Sequence, residues 1–329
     1  MTKISIAWFS ICFFYAGTVF ATTHSAVVNA LETSALEHLQ VLSSDDFAGR
    51  MFSSTASEKS QSYLQSTLQS LKVAKFKGAY RHTFELTGFF NDKSGANIIG
   101  YIPGTTYPNQ FIVLTAHYDH LGTKHTKVFN GADDNASGTA ALLHYGKLIN
   151  NRPLKHSVIL LFTDGEEINL LGAKAFINQQ EKLLAQIKLN INLDMIAGSS
   201  SSTKLRFISR DLSKILTDEK LFELEALQAN LKESSNTRLT AGFRNRRGVG
   251  SSVNRTNWRM ASDHGAFSKA GIPFIYFGVG AHKNYHSEHD TFENINQALF
   301  IASVDVIYQQ LLFLDSAISP ALNTVFPCE

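Results

Sequence analysis

The sequence has only two cysteines, Cys12 and Cys328, among its 329 residues. Cys12 lies in a stretch that resembles a cleaved leader, so Cys328 is expected to be the one cysteine of the mature chain. No internal disulfide is then possible, and stability must come from a hydrophobic core. A composition of 44% hydrophobic and 18% charged residues can supply such a core and excludes a largely disordered chain.

The sequence also lacks an imbalance of charge. Its formal net charge is +2, and removing residues 1–21 leaves 29 basic and 28 acidic residues. A nearly neutral chain gives no reason to expect nucleic acid as a partner. It has no G-x-S-x-G motif, which argues against a serine nucleophile on a sharp strand-to-helix turn.

Residues 1–21 differ from the rest of the chain. An apolar run follows Lys3, the only charged residue there, and ends with Val19-Phe20-Ala21. This pattern is typical of a secretory signal peptide cleaved after Ala21. An uncleaved anchor is the alternative, because the run approaches spanning length. We expect an exported protein, periplasmic or extracellular, without stable membrane insertion after cleavage.

Three segments of the mature chain share one pattern, in which an apolar strand is followed by a polar tip and then a helix. Their strands are predicted at residues 111–115, 158–162 and 187–193, the last one half buried. The repetition predicts an α/β fold with a largely parallel sheet. Further helices are expected within 22–75, and a helix with a long core stripe is expected to close the chain.

The polar tips carry metal-ligand chemistry. His117 directly follows the first strand, and the consecutive carboxylates of Asp133 and Asp134 come shortly after it. Buried charge is costly unless a cation compensates it, so these carboxylates suit a metal better than a core. The candidate ligands comprise two imidazoles and three carboxylates, enough for two zinc ions with one bridging carboxylate. They are His117, Asp134, Glu167, Asp194 and His286.

Six motifs at these positions carry a family resemblance. They are AHYDHLG, GADDNASG, TDGEEINLLGA, NLDM, ASDHGAF and YHSEHDT, in this order within residues 111 to 295. The sequence resembles the M28 family of co-catalytic zinc peptidases, whose best-known members are bacterial aminopeptidases. Residues 42–50, LSSDDFAGR, are similar to the first segment of exported bacterial members.

The resemblance implies a fold and a domain plan. The fold would be a single-domain, three-layer α/β sandwich of the zinc exopeptidase type, with a mixed, largely parallel sheet flanked by helices. The peptidase domain would cover residues 22–329, with an N-terminal helical segment at 22–75 and a variable insertion at 198–260.

The resemblance also implies a role for each site residue. The ligands divide into His117 and Asp194 on one zinc ion, Glu167 and His286 on the other, and Asp134 bridging both. Glu166 would be the general base. This agrees with the tendency of adjacent residues on an extended loop to point in different directions, so that one carboxylate can bind metal while the other faces the water. Asp119 would accept the second ring N–H of His117. Tyr285 would donate its hydroxyl to the developing oxyanion.

The expected activity is removal of N-terminal residues from peptides with a free N-terminus. Three alternatives stay open within this fold. A glutaminyl cyclase would use one zinc ion, a carboxypeptidase or dipeptidase would differ only in its pocket walls, and a binding module would not be catalytic. The complete ligand set favours the aminopeptidase. The sequence predicts no oligomeric state.

Other polar residues near the motifs receive structural interpretations. His120, His125 and His144 are expected to be solvated or bonded within the fold. Ser262 is expected to cap a helix. Asp133 could either support its turn or face a substrate amine.

An arginine-rich segment at residues 240–259 leaves two possibilities. It could be a solvated loop, or it could overhang the pocket and hold a substrate carboxylate. Its arginines are Arg244, Arg246, Arg247, Arg255 and Arg259.

Overall fold

The computed structural model describes residues 34–86, 92–235, 237–243, 256–319 and 322. The signal peptide expected at residues 1–21 lies outside this part of the chain. Four of the five arginines expected at residues 240–259 also lie outside it, and only Arg259 is described, as an exposed residue.

Nine strands of the described residues form one mixed sheet, and two short strands form a separate hairpin. The strands of the sheet are β1 (Ala74–Lys75), β2 (Arg81–Leu86), β3 (Lys93–Ile102), β4 (Tyr107–His117), β7 (His156–Thr163), β8 (Ile187–Leu193), β9 (Arg206–Arg210), β10 (Thr240–Ala241) and β11 (Phe274–Gly278). The hairpin consists of β5 (Gly122–Lys124) and β6 (Lys127–Phe129). The sequence analysis did not predict this hairpin.

The centre of the sheet is parallel, as predicted. Its order is β1-β3-β7-β4-β8-β11-β9-β10, with β2 paired to β3. Strands β7, β4, β8 and β11 run parallel to one another, whereas β3 and β9 run antiparallel to their neighbours β7 and β11. The carboxyl ends of β4, β7 and β8 therefore meet at one edge of the sheet.

Seven helices of the described residues surround this sheet. They are α1 (residues 34–42), α2 (Thr55–Ser70), α3 (Gly138–Asn151), α4 (Leu171–Gln179), α5 (Asp218–Ser234), α6 (His264–Lys269) and α7 (Gln297–Ala317). Short 3-10 turns lie at Asp45–Arg50, Glu181–Gln186 and Leu212–Lys214.

The helices cover both faces of the sheet, and β7 shows why. Side chains alternate along a strand, so Val158 and Leu160 belong to a core cluster that includes Leu142 of α3. Ile159, between them, belongs to a second cluster that includes Phe267 of α6. Two cores on opposite faces of one sheet make the three-layer α/β sandwich that the motifs predicted.

The prediction that β8 is half buried was wrong. All seven of its residues are buried, because β4 and β11 flank the strand and helices cover both faces of the sheet. Its two asparagines bond inside the protein instead of reaching solvent. The Asn190 side chain donates to the Val113 carbonyl at 3.1 Å, and the Asn192 side chain donates to Ser262 Oγ at 2.9 Å.

The closing helix is α7, as its core stripe predicted. By length and composition it could cross a membrane, and half of its most apolar window is buried inside the described structure. Its buried side chains include Phe300, Ile307 and Leu311, which join the larger core cluster. In this structure α7 is therefore a core helix.

Candidate metal centre

Three strand ends deliver predicted ligands to the same edge of the sheet. His117 is the last residue of β4, Asp194 directly follows β8, and the pair Glu166-Glu167 lies three residues beyond the end of β7. Parallel strands present their carboxyl ends together, and the crevice there is where ligands bind in α/β sheets.

A tight turn at Ala132–Ser137 places the fourth predicted ligand, Asp134, before α3. The side chain of Asp290 stabilises this turn by hydrogen bonds. Its two carboxylate oxygens accept the backbone N–H groups of Asp133 and Asp134, each at 3.0 Å. The carboxylate of Asp290, which is 1% exposed, therefore fixes the backbone that carries Asp134.

Asp133 supports the turn and does not face substrate. Its side chain is fully buried. Oδ1 accepts the backbone N–H groups of Ala197 and Gly198 at 2.8 and 2.7 Å, and Oδ2 lies 2.8 Å from His282 Nε2. Because both oxygens are engaged inside the protein, the structural alternative for Asp133 is correct.

The five predicted ligands form two groups that share Asp134. In the inner half-site (His117, Asp134 and Asp194), His117 Nε2 lies 3.3 Å from Asp194 Oδ1 and 3.4 Å from Asp134 Oδ1. In the outer half-site (Asp134, Glu167 and His286), His286 Nε2 lies 3.2 Å from both Asp134 Oδ2 and Glu167 Oε2. Tetrahedral zinc with bonds of about 2.0 Å separates its ligand atoms by about 3.3 Å, so both groups fit this ion.

The electrostatics of the inner half-site also fit a cation. Burial raises the pKa of Glu166 well above its usual range, and Asp194 adds to this rise. Burial would lower the pKa of His117, but Glu166 and Asp194 outweigh it and hold that pKa well above 6.5. Without a metal, these groups must keep protons to stay buried together. A divalent ion would displace those protons.

In the outer half-site, too, burial and neighbouring carboxylates have opposite effects on the pKa of a histidine, and this histidine is more exposed. The His286 side chain is 36% exposed, whereas that of His117 is 1% exposed. Partial burial would lower the pKa of His286, but its hydrogen bonds to the carboxylates of Asp134 and Glu167 raise it to about 10.

The role predicted for the Asp119 side chain was wrong. His117 Nδ1 lies 3.2 Å from the Asp119 backbone oxygen, which accepts its hydrogen, whereas the nearest carboxylate oxygen is 3.7 Å away. The carboxylate instead accepts the backbone N–H groups of Glu166 at 3.1 Å and Glu167 at 3.3 Å. Asp119 therefore positions the loop that carries both glutamates, because its carboxylate binds the backbone of both.

The two neighbouring glutamates face different surroundings. Glu166 lines a pocket beside the metal ligands, with Trp258 and Tyr276 among its walls. Glu167 instead contacts His286 in the outer half-site. The two glutamates thus belong to different groups, Glu166 with His117 and Asp194, and Glu167 with His120 and Asp134.

Tyr285 lies at the mouth of the same pocket. Its ring stacks on His286 with centroids 3.8 Å apart, and the residue is 40% exposed. Burial of the hydroxyl and the nearby carboxylates of Asp134 and Asp194 raise the pKa of Tyr285. Its hydroxyl therefore keeps its proton at neutral pH and can donate it to a substrate oxygen.

Arg50 is a site residue to which the sequence analysis assigned no role. It is 1% exposed, and burial lowers its pKa to about 10, which leaves it charged at neutral pH. Its guanidinium donates to four backbone carbonyls of the loops around the site. The acceptors are Leu42 at 2.6 Å, Tyr118 at 2.7 Å, Asn130 at 2.6 Å and Gly131 at 2.9 Å. Arg50 therefore joins the loops of His117 and Asp134.

One of the structural interpretations needs correction. Ser262 does not cap α6, which begins at His264 and has no side-chain cap. Its hydroxyl instead accepts a hydrogen bond from Asn192 of β8. His120 is bonded within the fold, as expected, because it is 1% exposed and its ring lies 2.8 Å from Glu167 Oε1. Its position three residues after His117 is the only sequence signal that pointed to the site.

Comparison with known proteins places this site in a family. The model of peptidase family M28 matches residues 97–311, which include every predicted site residue. Aminopeptidase YwaD of Bacillus subtilis is 26% identical over 234 residues, covering 68% of this chain and 46% of the relative. Leucine aminopeptidase 2 of Trichophyton rubrum is 24% identical over 248 residues, covering 69% and 46%. The chain thus spans about half the length of these curated relatives.

Solved structures share the fold. The zinc aminopeptidase BSAP of Bacillus subtilis superimposes with a TM-score of 0.66 at 15% identity, covering 89% of this chain and 98% of that one. The glutaminyl cyclase of Fimbriiglobus ruber gives a TM-score of 0.65 at 19% identity, covering 86% and 95%. These likenesses confirm the predicted fold, and the match over most of the described sheet and all the motifs shows that the chain belongs to peptidase family M28.

Proposed function

We propose that the protein is an aminopeptidase that uses two zinc ions to release the N-terminal residue of peptides. The observation that carries this proposal is the pair of half-sites sharing Asp134, with the carboxylate of Glu166 on the adjoining pocket. The metallopeptidase family and the aminopeptidase names of the relatives support it.

The inner half-site would hold one zinc ion and the outer half-site the other. When bound, the two ions supply Lewis acidity that polarises the scissile carbonyl and makes water more acidic. The chain contributes the shared carboxylate of Asp134, one oxygen of which faces each half-site.

Glu166 is the proposed general base. Burial raises the pKa of its carboxyl group well above the usual range, which strengthens it as a proton acceptor. It would take a proton from the attacking water and return it to the leaving amine. Tyr285 would donate its hydroxyl to the carbonyl oxygen as negative charge develops there.

The pocket beside Glu166 suits an apolar N-terminal side chain. Its walls include Met195, Ala261 and Ala281. Phe243 stacks on both aromatic wall residues, with centroids 4.5 Å from Trp258 and 5.0 Å from Tyr276. A wall of stacked rings changes shape little, so we expect a preference for apolar residues that fill it.

Export is a further part of the proposal and rests on residues 1–21 alone. N-terminal sequencing of the protein recovered from a secreting host tests it, and the mature chain should begin at Thr22. Recovery of the intact N-terminus in the membrane fraction would support the anchor instead.

Zinc analysis combined with one substrate pair tests the function. Elemental analysis of the purified mature protein should give about two zinc ions per chain. Leucine p-nitroanilide should be hydrolysed, chelation should abolish hydrolysis, and zinc should restore it. The N-acetylated substrate should be inert, since an aminopeptidase requires a free amine.

Each alternative predicts a different result in these assays. One zinc ion with ring closure of an N-terminal glutaminyl peptide would establish a cyclase and contradict the proposal. Hydrolysis of N-acetylated peptides from the C-terminus would indicate a carboxypeptidase. Metal binding without turnover of any peptide would leave a binding module.

A further inference from the structure

His120 lies inside the outer half-site. It follows β4 by three residues and is 1% exposed. Its Nδ1 atom lies 2.8 Å from Glu167 Oε1. Because an ionised carboxylate can only accept hydrogen bonds, the Nδ1–H group must be the donor.

The distances separate His120 from the zinc ligands. Donor atoms that share an ion in the two half-sites are 3.2 to 3.4 Å apart, close to the edge of about 3.3 Å expected for tetrahedral zinc. His120 Nδ1 is 2.8 Å from Glu167 and 3.8 Å from Asp134 Oδ2. The shorter distance is that of a hydrogen bond, and neither fits a shared tetrahedral ion.

This hydrogen bond leaves Glu167 with one oxygen for a metal. Oε1 accepts from His120, whereas Oε2 lies 3.2 Å from His286 Nε2. The hydrogen bond occupies one acceptor site of Oε1 and turns it toward His120, which favours metal binding through Oε2. An ion with fewer protein oxygens keeps a position open, as catalytic zinc sites require.

The ring of His120 packs closely against the backbone beside it. A Cβ atom at Gly131 would lie 2.6 Å from the Cγ and Cδ2 atoms of the ring, so the backbone of the Asp134 turn packs directly against it. Nε2 has no hydrogen-bond partner among the described residues. The bond to Glu167 is thus the one hydrogen bond that this ring makes within the described chain.

We propose that His120 is a positioning residue that makes Glu167 bind the outer zinc ion through Oε2 alone. This inference rests on the proposed two-zinc function. It assigns His120 a role in the affinity and coordination of the outer ion, and it leaves the inner ion unaffected.

Zinc titration of metal-free protein in the presence of a competing chelator tests the inference. His120→Leu removes the donor and keeps similar bulk, so one of the two zinc dissociation constants, that of the outer ion, should rise about 10- to 100-fold. The other should not change. His120→Asn retains an N–H donor two bonds from Cβ, where Nδ1 lies, and should recover most of the affinity.

Cobalt substitution supplies a second measurement, which a merely structural role would not alter. If His120→Leu frees Oε1 to join the outer ion, the coordination number rises and the visible absorption of the second cobalt equivalent should weaken. His120→Asn should keep the spectrum of the unsubstituted protein.

The matched control is His144→Leu. His144 is a buried histidine of α3 with one unpartnered ring nitrogen, and its ring contacts Tyr145. This variant should bind both zinc ions normally, whatever it costs in melting temperature.

Three results would overturn the inference. Unchanged affinity for both ions in His120→Leu would show that the hydrogen bond does not position Glu167. Equal losses in His120→Leu and His120→Asn would make His120 a ligand instead of a positioning residue. A single zinc ion in the unsubstituted protein would refute the two-zinc function itself, which the first titration reveals before any variant is compared.

Discussion

Buried carboxylates lie at both ends of the parallel strands, and the protein treats them differently. At the amino end of β7, Asp315 of α7 accepts the ring N–H and the backbone N–H of His156, both at 2.9 Å, and the backbone N–H of Lys155 at 2.9 Å. Burial would raise the pKa of Asp315, but these hydrogen bonds lower it below its usual range. This carboxylate is compensated by protein groups alone.

At the carboxyl end of the same strands, Glu167 is compensated in this way, because burial would raise its pKa but hydrogen bonds from His120 and His286 lower it. Asp119 and Glu166 are not. Burial raises the pKa values of Asp119 and Glu166 well above their usual range, and neighbouring carboxylates add to both increases. Arg50 supplies positive charge, but it donates to backbone carbonyls and not to the carboxylates. The comparison indicates that the amino end is built for stability and the carboxyl end for a cation.

The largest expected effect is on turnover at the carboxyl end. Glu166→Gln removes the proposed base and should lower kcat by about 10²- to 10⁴-fold, while elemental analysis still finds both zinc ions. Glu167→Gln is the control at the adjacent position and should lose the outer ion. Hydrolysis near the normal rate by Glu166→Gln would show that another group takes the proton.

Metal removal should have the next largest effect. Zinc at a thousandfold excess over its dissociation constant should stabilise the fold by about 4 kcal/mol, because the ions offset the clustered carboxylates. Calorimetry of the chelated and zinc-loaded protein measures this as a rise in Tm. Asp315→Asn, at the amino end, should show the same rise, and Asp134→Asn should not. If zinc did not change the Tm, the conclusion that a cation stabilises the carboxyl end would be wrong.

Loss of Arg50 should cost about 3 kcal/mol or more, because Arg50→Met removes a donor from four buried carbonyls, of which Gly131 keeps the Ala136 N–H. Arg50→Lys should recover only part of this, since an ammonium cannot reproduce the fork of a guanidinium. Denaturant unfolding measures both. Arg81→Met, which removes an exposed arginine bonded to Gln61, is the control and should change stability little. Equal stability of Arg50→Met and Arg81→Met would show that Arg50 does not stabilise the protein by joining the loops of His117 and Asp134.

The clustering of the candidate ligands at strand ends could be predicted because local pattern and topology agree there. An apolar run followed at once by polar residues marked His117, the Glu166-Glu167 pair and Asp194. Parallel strands then bring their carboxyl ends together without further information. The same reasoning failed for β8, because alternating polarity cannot distinguish a solvent-facing asparagine from one that bonds inside a covered sheet, as Asn190 does.

Residues that act across the fold could not be predicted in the same way. Arg50 lies 68 positions before Tyr118, whose carbonyl it contacts, and no local periodicity encodes that distance. The acceptor of the His117 ring was missed because sequence does not show whether the backbone or the side chain of Asp119 faces it. The contact between His120 and Glu167 was missed because Glu167 lies on the loop after β7, and its position relative to His120 is known only from the fold.

The smallest expected effect concerns the amino end and its dependence on pH. Asp315→Asn should destabilise the protein by about 1 to 2 kcal/mol at pH 7, because an amide cannot accept all three hydrogen bonds. The folded pKa of Asp315 is below its ordinary value. Its contribution is therefore complete above the unfolded pKa of about 3.9 and is lost as the pH falls through the lower folded pKa.

Urea unfolding of both proteins between pH 7 and pH 2.5 measures this dependence. The stability difference should stay constant down to about pH 5 and shrink below pH 4. Asp305→Asn changes an exposed aspartate of the same helix, bonded only to Gln309 among the described residues, and should show almost no difference at any pH. A gap for Asp315→Asn that persists at pH 2.5 would mean that the side chain stabilises α7 by packing. Packing, and not hydrogen bonding to the carboxylate, would then stabilise the amino end. The difference in electrostatics between the two ends would come only from the candidate metal centre.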